Sequence, residues 1–315
     1  MSAASTLERD AGAQTQRTAA SWYEASARER VRLLLDVHSF REFIGPEQRQ
    51  ISPHLHIFNL PEQFDDGMIV GEGVLEGRKV FIAAQEGRFM GGAFGEVHGA
   101  KLTGMLRAVR DAASTPLFIL FDTGGVRLQE ANAGELAIAE IMRALMEARI
   151  AGARVIGLIG GRAGCFGGGG LIAGCCSALV VSEQGRISVS GPEVIETNRG
   201  VEEFDSQDRA LVWRTMGGKH RRLIGGADMF VDDTIEAFRI AAVKLMLPER
   251  AFDADVLKSE QNRLRRRLER FGSCTDARDI WRIEGVEDPI AVPGMASEEF
   301  IALADRIREP RNDVR

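Results

Sequence analysis

Pro116-Leu117-Phe118-Ile119-Leu120-Phe121-Asp122-Thr123-Gly124-Gly125-Val126 decides the fold. Leu117 to Phe121 is an unbroken apolar run bounded by Pro116 and a glycine turn. A run this short fits a strand covered on both faces better than a helix. Past the turn, Gly134–Ala148 reads as a helix. Leu136, Ile138, Ile141, Met142, Leu145 and Met146 make its broad apolar face. The same unit then recurs. A strand at 154–159 leads to Cys165-Phe166-Gly167-Gly168-Gly169-Gly170 and a helix near 169–177. Alternation of this kind predicts α/β layers joined by right-handed crossovers.

Upstream, Met68–Leu75 and Lys79–Ala84 flank Glu76-Gly77-Arg78, which predicts a tight hairpin. Phe89-Met90-Gly91-Gly92 precedes a helix that runs to about Ala113. Ser26–Asp36 reads as an amphipathic helix, and 38–66 as irregular, punctuated by Pro46, Pro53 and Pro61. Residues 1–20, rich in Ala, Ser and Thr, are expected to be mobile or ordered by a partner. Downstream, short strands are expected at 178–182 and 186–190. Ser206–Met246 reads as mostly helical, broken at Gly217-Gly218 and Gly225-Gly226. This divides the chain into a catalytic domain over 21–247 and a helical extension over 248–315. The extension carries Lys258, Arg263, Arg265, Arg266, Arg267 and Arg270 on one helix. They form either a solvated face or a dock for an acidic partner or a nucleotide phosphate.

The 315 residues carry a net charge of -6, which disfavours a general nucleic-acid surface. No apolar stretch has the length of a membrane span, and no apolar core follows a basic head near residue 1, so a signal peptide is not expected. None of Cys165, Cys175, Cys176 and Cys274 forms a C-x-x-C pair, so no metal site is expected. They read as buried thiols of a reducing cytoplasm, Cys165 being the most plausible reactive one.

The chemistry lies in the glycine turns. Two strand-to-helix turns without bulky side chains can aim backbone N–H groups at one developing negative charge. The carbonyl oxygen of a thioester becomes such a charge when an enolate forms. Gly167–Gly170 is also compatible with a phosphate nest or a helix-packing surface. No Gly-Lys-Ser/Thr follows it, and no strand–GxGxxG–helix unit is in register, so the P-loop and dinucleotide readings fail. His98, Glu96 and Glu193 are the titratable candidates beside the turns. His98 reads either as a hydrogen-bonded structural residue near a turn or as a proton donor or carboxylate-orienting group. Arg127 is placed either to pair with Glu130 and brace the first turn or to touch the substrate.

Taken together, five stretches resemble the carboxyltransferase branch of the crotonase superfamily. They are Val70-Gly71-Glu72-Gly73, Phe89-Met90-Gly91-Gly92, Gly124-Gly125-Val126-Arg127-Leu128-Gln129-Glu130, Gly167-Gly168 and Ser190-Gly191-Pro192-Glu193-Val194-Ile195. Within that branch the chain is most similar to the beta-subunit family of biotin-independent malonate decarboxylases. The similarity includes Ala131-Asn132-Ala133-Gly134-Glu135 and Gly217-Gly218-Lys219-His220-Arg221. It is also similar to the acetyl-CoA carboxylase carboxyltransferase beta subunit, whose bacterial form opens with a zinc ribbon not found here.

The resemblance implies a crotonase-like superhelix of β-β-α units. It implies decarboxylation of a malonyl thioester to an acetyl thioester on an acyl carrier protein. That carrier would bear a CoA-like prosthetic group (phosphoribosyl-dephospho-CoA), and neither biotin nor a covalent cofactor would be used by this chain. A homologous gamma subunit, the carrier and an alpha transferase subunit would be its partners. Gly124, Gly125, Val126, Gly167 and Gly168 would supply the oxyanion donors, with His98 as a further catalytic candidate. Gly91, Gly92, Arg127, Gly169 and Glu193 would lie against substrate. The alternative is a carboxyltransferase beta-type subunit of a biotin-dependent carboxylase or decarboxylase.

Overall fold

The computed structural model describes Gly12, residues 14–247 and residues 252–307. Of the segment expected to be mobile, 1–11 and 13 lie outside the described residues. Residues 14–19 are helical, and Ala20 accepts a hydrogen bond from Ile235 N–H.

Seven strands form one mixed sheet in chain order: β1 (Arg41–Glu42), β2 (Met68–Leu75), β3 (Arg78–Gln85), β4 (Leu117–Phe121), β5 (Val155–Ile159), β6 (Ala178–Ser182) and β7 (Met229–Val231). β1, β2 and β3 pair antiparallel, and β3 through β7 pair parallel. Glu76 and Gly77 form the two-residue turn of the β2–β3 hairpin. Both have positive φ (48° and 72°), the geometry whose twist matches paired strands.

The first three parallel crossovers each carry one helix: α2 (Glu96–Asp111), α3 (Asn132–Ile150) and α4 (Gly168–Cys175). Before its helix, each segment also makes a single parallel bridge with the next: Phe94 to Val126, Thr123 to Cys165, and Cys165 to Ile187. Strand, bridge and helix thus repeat as a winding β-β-α unit. The stretch expected as a strand at 186–190 is only this bridge at Ile187, and β7 is a strand that the helical pattern around it hides.

Period-two alternation splits the core. Leu117, Ile119 and Phe121 of β4 pack with Leu102, Met105 and Ile141 under α2 and α3. Phe118 and Leu120 face the other side, with Trp22, Leu34 and Phe238. That second face is covered by α1 (Ala27–Leu34) and α8 (Ile235–Leu245), started by Ser26 and Thr234 caps. Between β6 and β7 lie α5 (Pro192–Arg199), α6 (Arg209–Met216) and α7 (Gly218–Leu223). The C-terminal part is helical: α9 (Ala254–Phe271), α10 (Ala277–Ile283) and α11 (Ser297–Ile307). Trp281 and Phe300 from this part are fully buried in the main core, so it packs as part of one body with the sheet.

Candidate active site

The two glycine turns leave the carboxyl ends of adjacent strands β4 and β5 and touch. A Cβ built on Gly167 would lie 3.1 Å from the Cα of Gly125. Both residues have φ values that favour glycine (+57° and +130°). The turns are also tied by hydrogen bonds. Thr123 N–H donates to Gly164 C=O at 2.8 Å, and Phe166 N–H donates to Thr123 C=O at 2.9 Å. Asp122, buried at the root of the first turn, accepts Ala163 N–H at 2.7 Å and pairs with buried Arg30 at 2.8 Å.

Not every glycine N–H is available. Gly124 N–H donates to Gly91 C=O at 2.8 Å, and Gly125 N–H to Thr123 Oγ1 at 3.1 Å. Gly169 N–H donates to Phe166 C=O at 3.0 Å, while a Cβ there would overlap the Thr123 methyl. Among the described residues, the N–H groups of Val126, Gly167 and Gly168 have no hydrogen-bond partner. Val126 ends the first turn, and Gly167 and Gly168 form the start of α4. Three unpartnered donors therefore lie on two touching turns.

Gly91 and Gly92 support the first turn. The Gly91 carbonyl holds Gly124, and a Cβ on Gly92 (φ +65°) would overlap the Asp122 carbonyl oxygen. Arg127 and His98, expected on the substrate side, sit behind the turn in a sealed polar cluster. Arg127 is 1% exposed. Its Nη1 pairs with Asp66 at 2.7 Å and Glu130 at 3.0 Å, its Nη2 donates to Asp66 C=O at 2.9 Å, and it lies over the Phe89 ring. The expected Arg127–Glu130 pair is therefore present, and the burial of Arg127 closes it to substrate.

His98 is fully buried. With a proton on Nδ1, that nitrogen donates to Asp66 C=O at 3.0 Å and Nε2 accepts from Gln85 at 3.2 Å. Burial, with the Arg127 charge nearby, lowers its pKa to about 3. A neutral, enclosed imidazole has no proton to deliver at neutral pH, so the geometry gives His98 a bracing place.

Burial raises the Asp66 pKa despite the Arg127 charge beside it. Burial also acts upward on Glu130. The opposing hydrogen bonds from Glu96 N–H, Ser52 and Arg127 bring its pKa net below the usual value. Glu193 stands exposed in the first turn of α5 and takes no hydrogen bond or ion pair from either glycine turn. Glu96 is exposed and pairs with His54 at 2.7 Å. Cys165 is sealed beneath the second turn, where burial pushes its thiol pKa well up, against a nucleophilic role.

Sequence reasoning missed Asp66, Gln85 and Thr123 Oγ1. The adjacent Asp65-Asp66 just before β2 was the one available signal.

A mixed sheet wound from strand–bridge–helix units, with two glycine turns at adjacent strand ends, defines a crotonase-type fold. The chain belongs to the carboxyl transferase domain family, whose signature matches residues 24–263. It is 37% identical to the malonyl-S-ACP:biotin-protein carboxyltransferase MADC of Malonomonas rubra, over 91% of this chain and 96% of that relative. It superposes on a chain of the Pseudomonas malonate decarboxylase hetero-tetramer, solved with malonate, at a TM-score of 0.76 and 37% identity. That match covers 84% of this chain and 97% of the other. The acetyl-coenzyme A carboxylase carboxyl transferase beta subunit of Fusobacterium nucleatum is 32% identical over 56% of this chain and 59% of its own length.

Among the described residues, no helix is long and apolar enough to cross a membrane.

Proposed function

We propose that this chain is the subunit that decarboxylates a malonyl thioester carried on an acyl carrier protein, without biotin. The observation that carries the reading is the trio of unpartnered N–H groups at Val126, Gly167 and Gly168. They stand in a chain similar over 84% of its length to a chain of a malonate decarboxylase. The thioester carbonyl accepts these donors. The bond between C2 and the carboxylate carbon breaks, CO2 leaves, and the electron pair passes through C2 to the carbonyl oxygen as an enolate. A proton from water on C2 then gives the acetyl thioester. One preorganised donor of this type is worth about 3–4 kcal/mol in the transition state. Tight ground-state binding of the leaving carboxylate would raise the barrier, so the step calls for donors on the carbonyl oxygen more than for a grip on that group.

The chemistry is assigned to residues 21–247, with 248–315 as a supporting extension. The carrier's CoA-like prosthetic group is the substrate arm. Leu128, Leu136 and Leu171, beside the turns and along α3 and α4, are exposed, which supports a homologous gamma subunit closing the pocket over them. The transferase subunit would reload the carrier with malonate. A cytoplasmic setting fits cysteines that are all free thiols.

A second reading shares the enolate and differs in the fate of the carboxyl group. The Malonomonas relative is named for transfer to a biotin protein. The assembled complex distinguishes them. Malonyl-carrier is expected to yield acetyl-carrier and CO2 at the same rate with and without avidin. Avidin-sensitive turnover, or none until a biotinylated protein is added, selects carboxyl transfer.

A further inference from the structure

Asp66 lies behind the first turn, fully buried, with a left-handed φ of +53°. The peptide joining Gly125 to Val126 is planar and trans, so its C=O and N–H point in opposite directions. Gly125 C=O accepts Phe94 N–H at 2.8 Å, and Arg127 N–H donates to Phe94 C=O at 2.9 Å. Val126 N–H therefore faces away from the Phe94 segment. Rotating that peptide requires the Arg127 backbone to move with it, and the Arg127 side chain resists the movement.

Asp66 offers Arg127 both its carboxylate (2.7 Å) and its own carbonyl (2.9 Å), one for each terminal nitrogen of the guanidinium. Glu130 contributes one contact, at 3.0 Å. The Asp66 carboxylate also accepts His98 N–H, in the first turn of α2, at 3.0 Å and Ser52 N–H at 3.3 Å. Each hydrogen-bond partner of this carboxylate is a donor, and the Glu130 carboxylate acts on it only through its charge. An asparagine of the same shape would turn an NH2 against at least one of those donors.

We propose that Asp66 is a positioning residue: through Arg127 it fixes the direction of Val126 N–H, and so the fit of the first turn to the enolate oxygen. The inference rests on the decarboxylation reading above. Removing the Asp66 charge should weaken binding of the enolate and leave binding of the uncharged thioester arm intact.

The test uses Asp66→Asn in the assembled complex. Four quantities are measured: kcat, KM and the affinities of two carrier-borne thioether probes. One probe bears a planar nitronate shaped like the enolate, the other a neutral ketone. A fall in kcat of roughly 30-fold is expected, with KM within about twofold. The nitronate should weaken by a similar factor and the ketone should not. Wild-type kcat in a folded Asp66→Asn complex overturns the inference, as does equal weakening of both probes. Where that variant fails to assemble, Arg127→Lys keeps the charge but loses the fork. The same split is then expected, and wild-type kcat overturns the link. A wild-type complex that releases no CO2 overturns the functional reading, and this inference with it. An active wild type with unaffected variants overturns the inference alone.

Discussion

The first turn (Thr123–Val126) and the second (Cys165–Gly170) present the same backbone group by different means. The first spends two of its N–H groups on its own shape, at Gly91 and Thr123, and leaves Val126 open. Behind it stands a sealed set of ionisable groups: Asp66, Arg127, Glu130 and His98. Among the described residues, no ion pair is formed by the side chains of the second. It is held by backbone bonds to Thr123 and Arg186 and by close glycine packing: a Cβ on Gly168 would lie 2.5 Å from Ile138 Cδ1. Its open N–H groups are the ordinary unsatisfied donors of a helix start, carrying the helix dipole with them. A loop turn lacks the helix that would hold its N–H groups in line, and the buried charges supply that stiffness.

Gly92→Ala should break the first turn most severely. The new methyl overlaps the Asp122 carbonyl, a backbone atom, and φ at this position is +65°. A stability loss of about 3 kcal/mol or more is expected by denaturant unfolding, with turnover reduced by at least roughly 100-fold. Wild-type stability would show that the two segments do not approach so closely.

The acid sensitivity of the two sides sharpens the contrast at smaller scale. His98 stands behind the first turn, and His220 lies far along the chain, where its Nδ1 accepts Trp281 Nε1–H at 3.1 Å. Burial lowers both pKa values to about 3 from 6.5. The unfolded chain therefore binds more protons than the folded one between about pH 6.5 and 3. Stability from these two residues is present above pH 6.5 and is lost as pH falls. Each should contribute a loss of about 2 kcal/mol between pH 7 and 5. Replacing either by Gln should flatten that slope by about half. The first turn should feel only the His98 change, read as a pH-dependent loss of kcat in the wild type that His98→Gln reduces. An unchanged slope in both variants would contradict the burial of the imidazoles.

Much of this was legible in the residues. The five-residue run Leu117–Phe121 is β4, residue for residue, because nothing polar interrupts a strand covered on both faces. The hairpin, α3 and the two glycine turns followed from turn chemistry and helical periodicity. Residues 186–190 were over-read, because alternation there reflects one bridge and a loop held against the second turn. β7 is three residues long and takes its place from β6, a long-range pairing with no local signal. The bracing cluster was the least visible part of the site. Asp66 and Arg127 stand sixty-one positions apart, and their pairing exists only once β2 and β4 share a sheet. Chain order suggested His98 and Arg127 beside a substrate; the structure buries both, while Glu96 and Glu193 stay exposed.

The central claim is that the two turns act as one enolate-stabilising pair. Gly168→Val in the assembled complex tests it most directly, since the side chain must displace Ile138 at the start of α4 while leaving the buried cluster of the first turn untouched. The rate of CO2 release from malonyl-carrier is compared with wild type after assembly has been verified by size and thermal melting. The account predicts a loss of roughly 100- to 1,000-fold in an assembled complex. Turnover at the wild-type rate would contradict it and move the working site to a partner subunit.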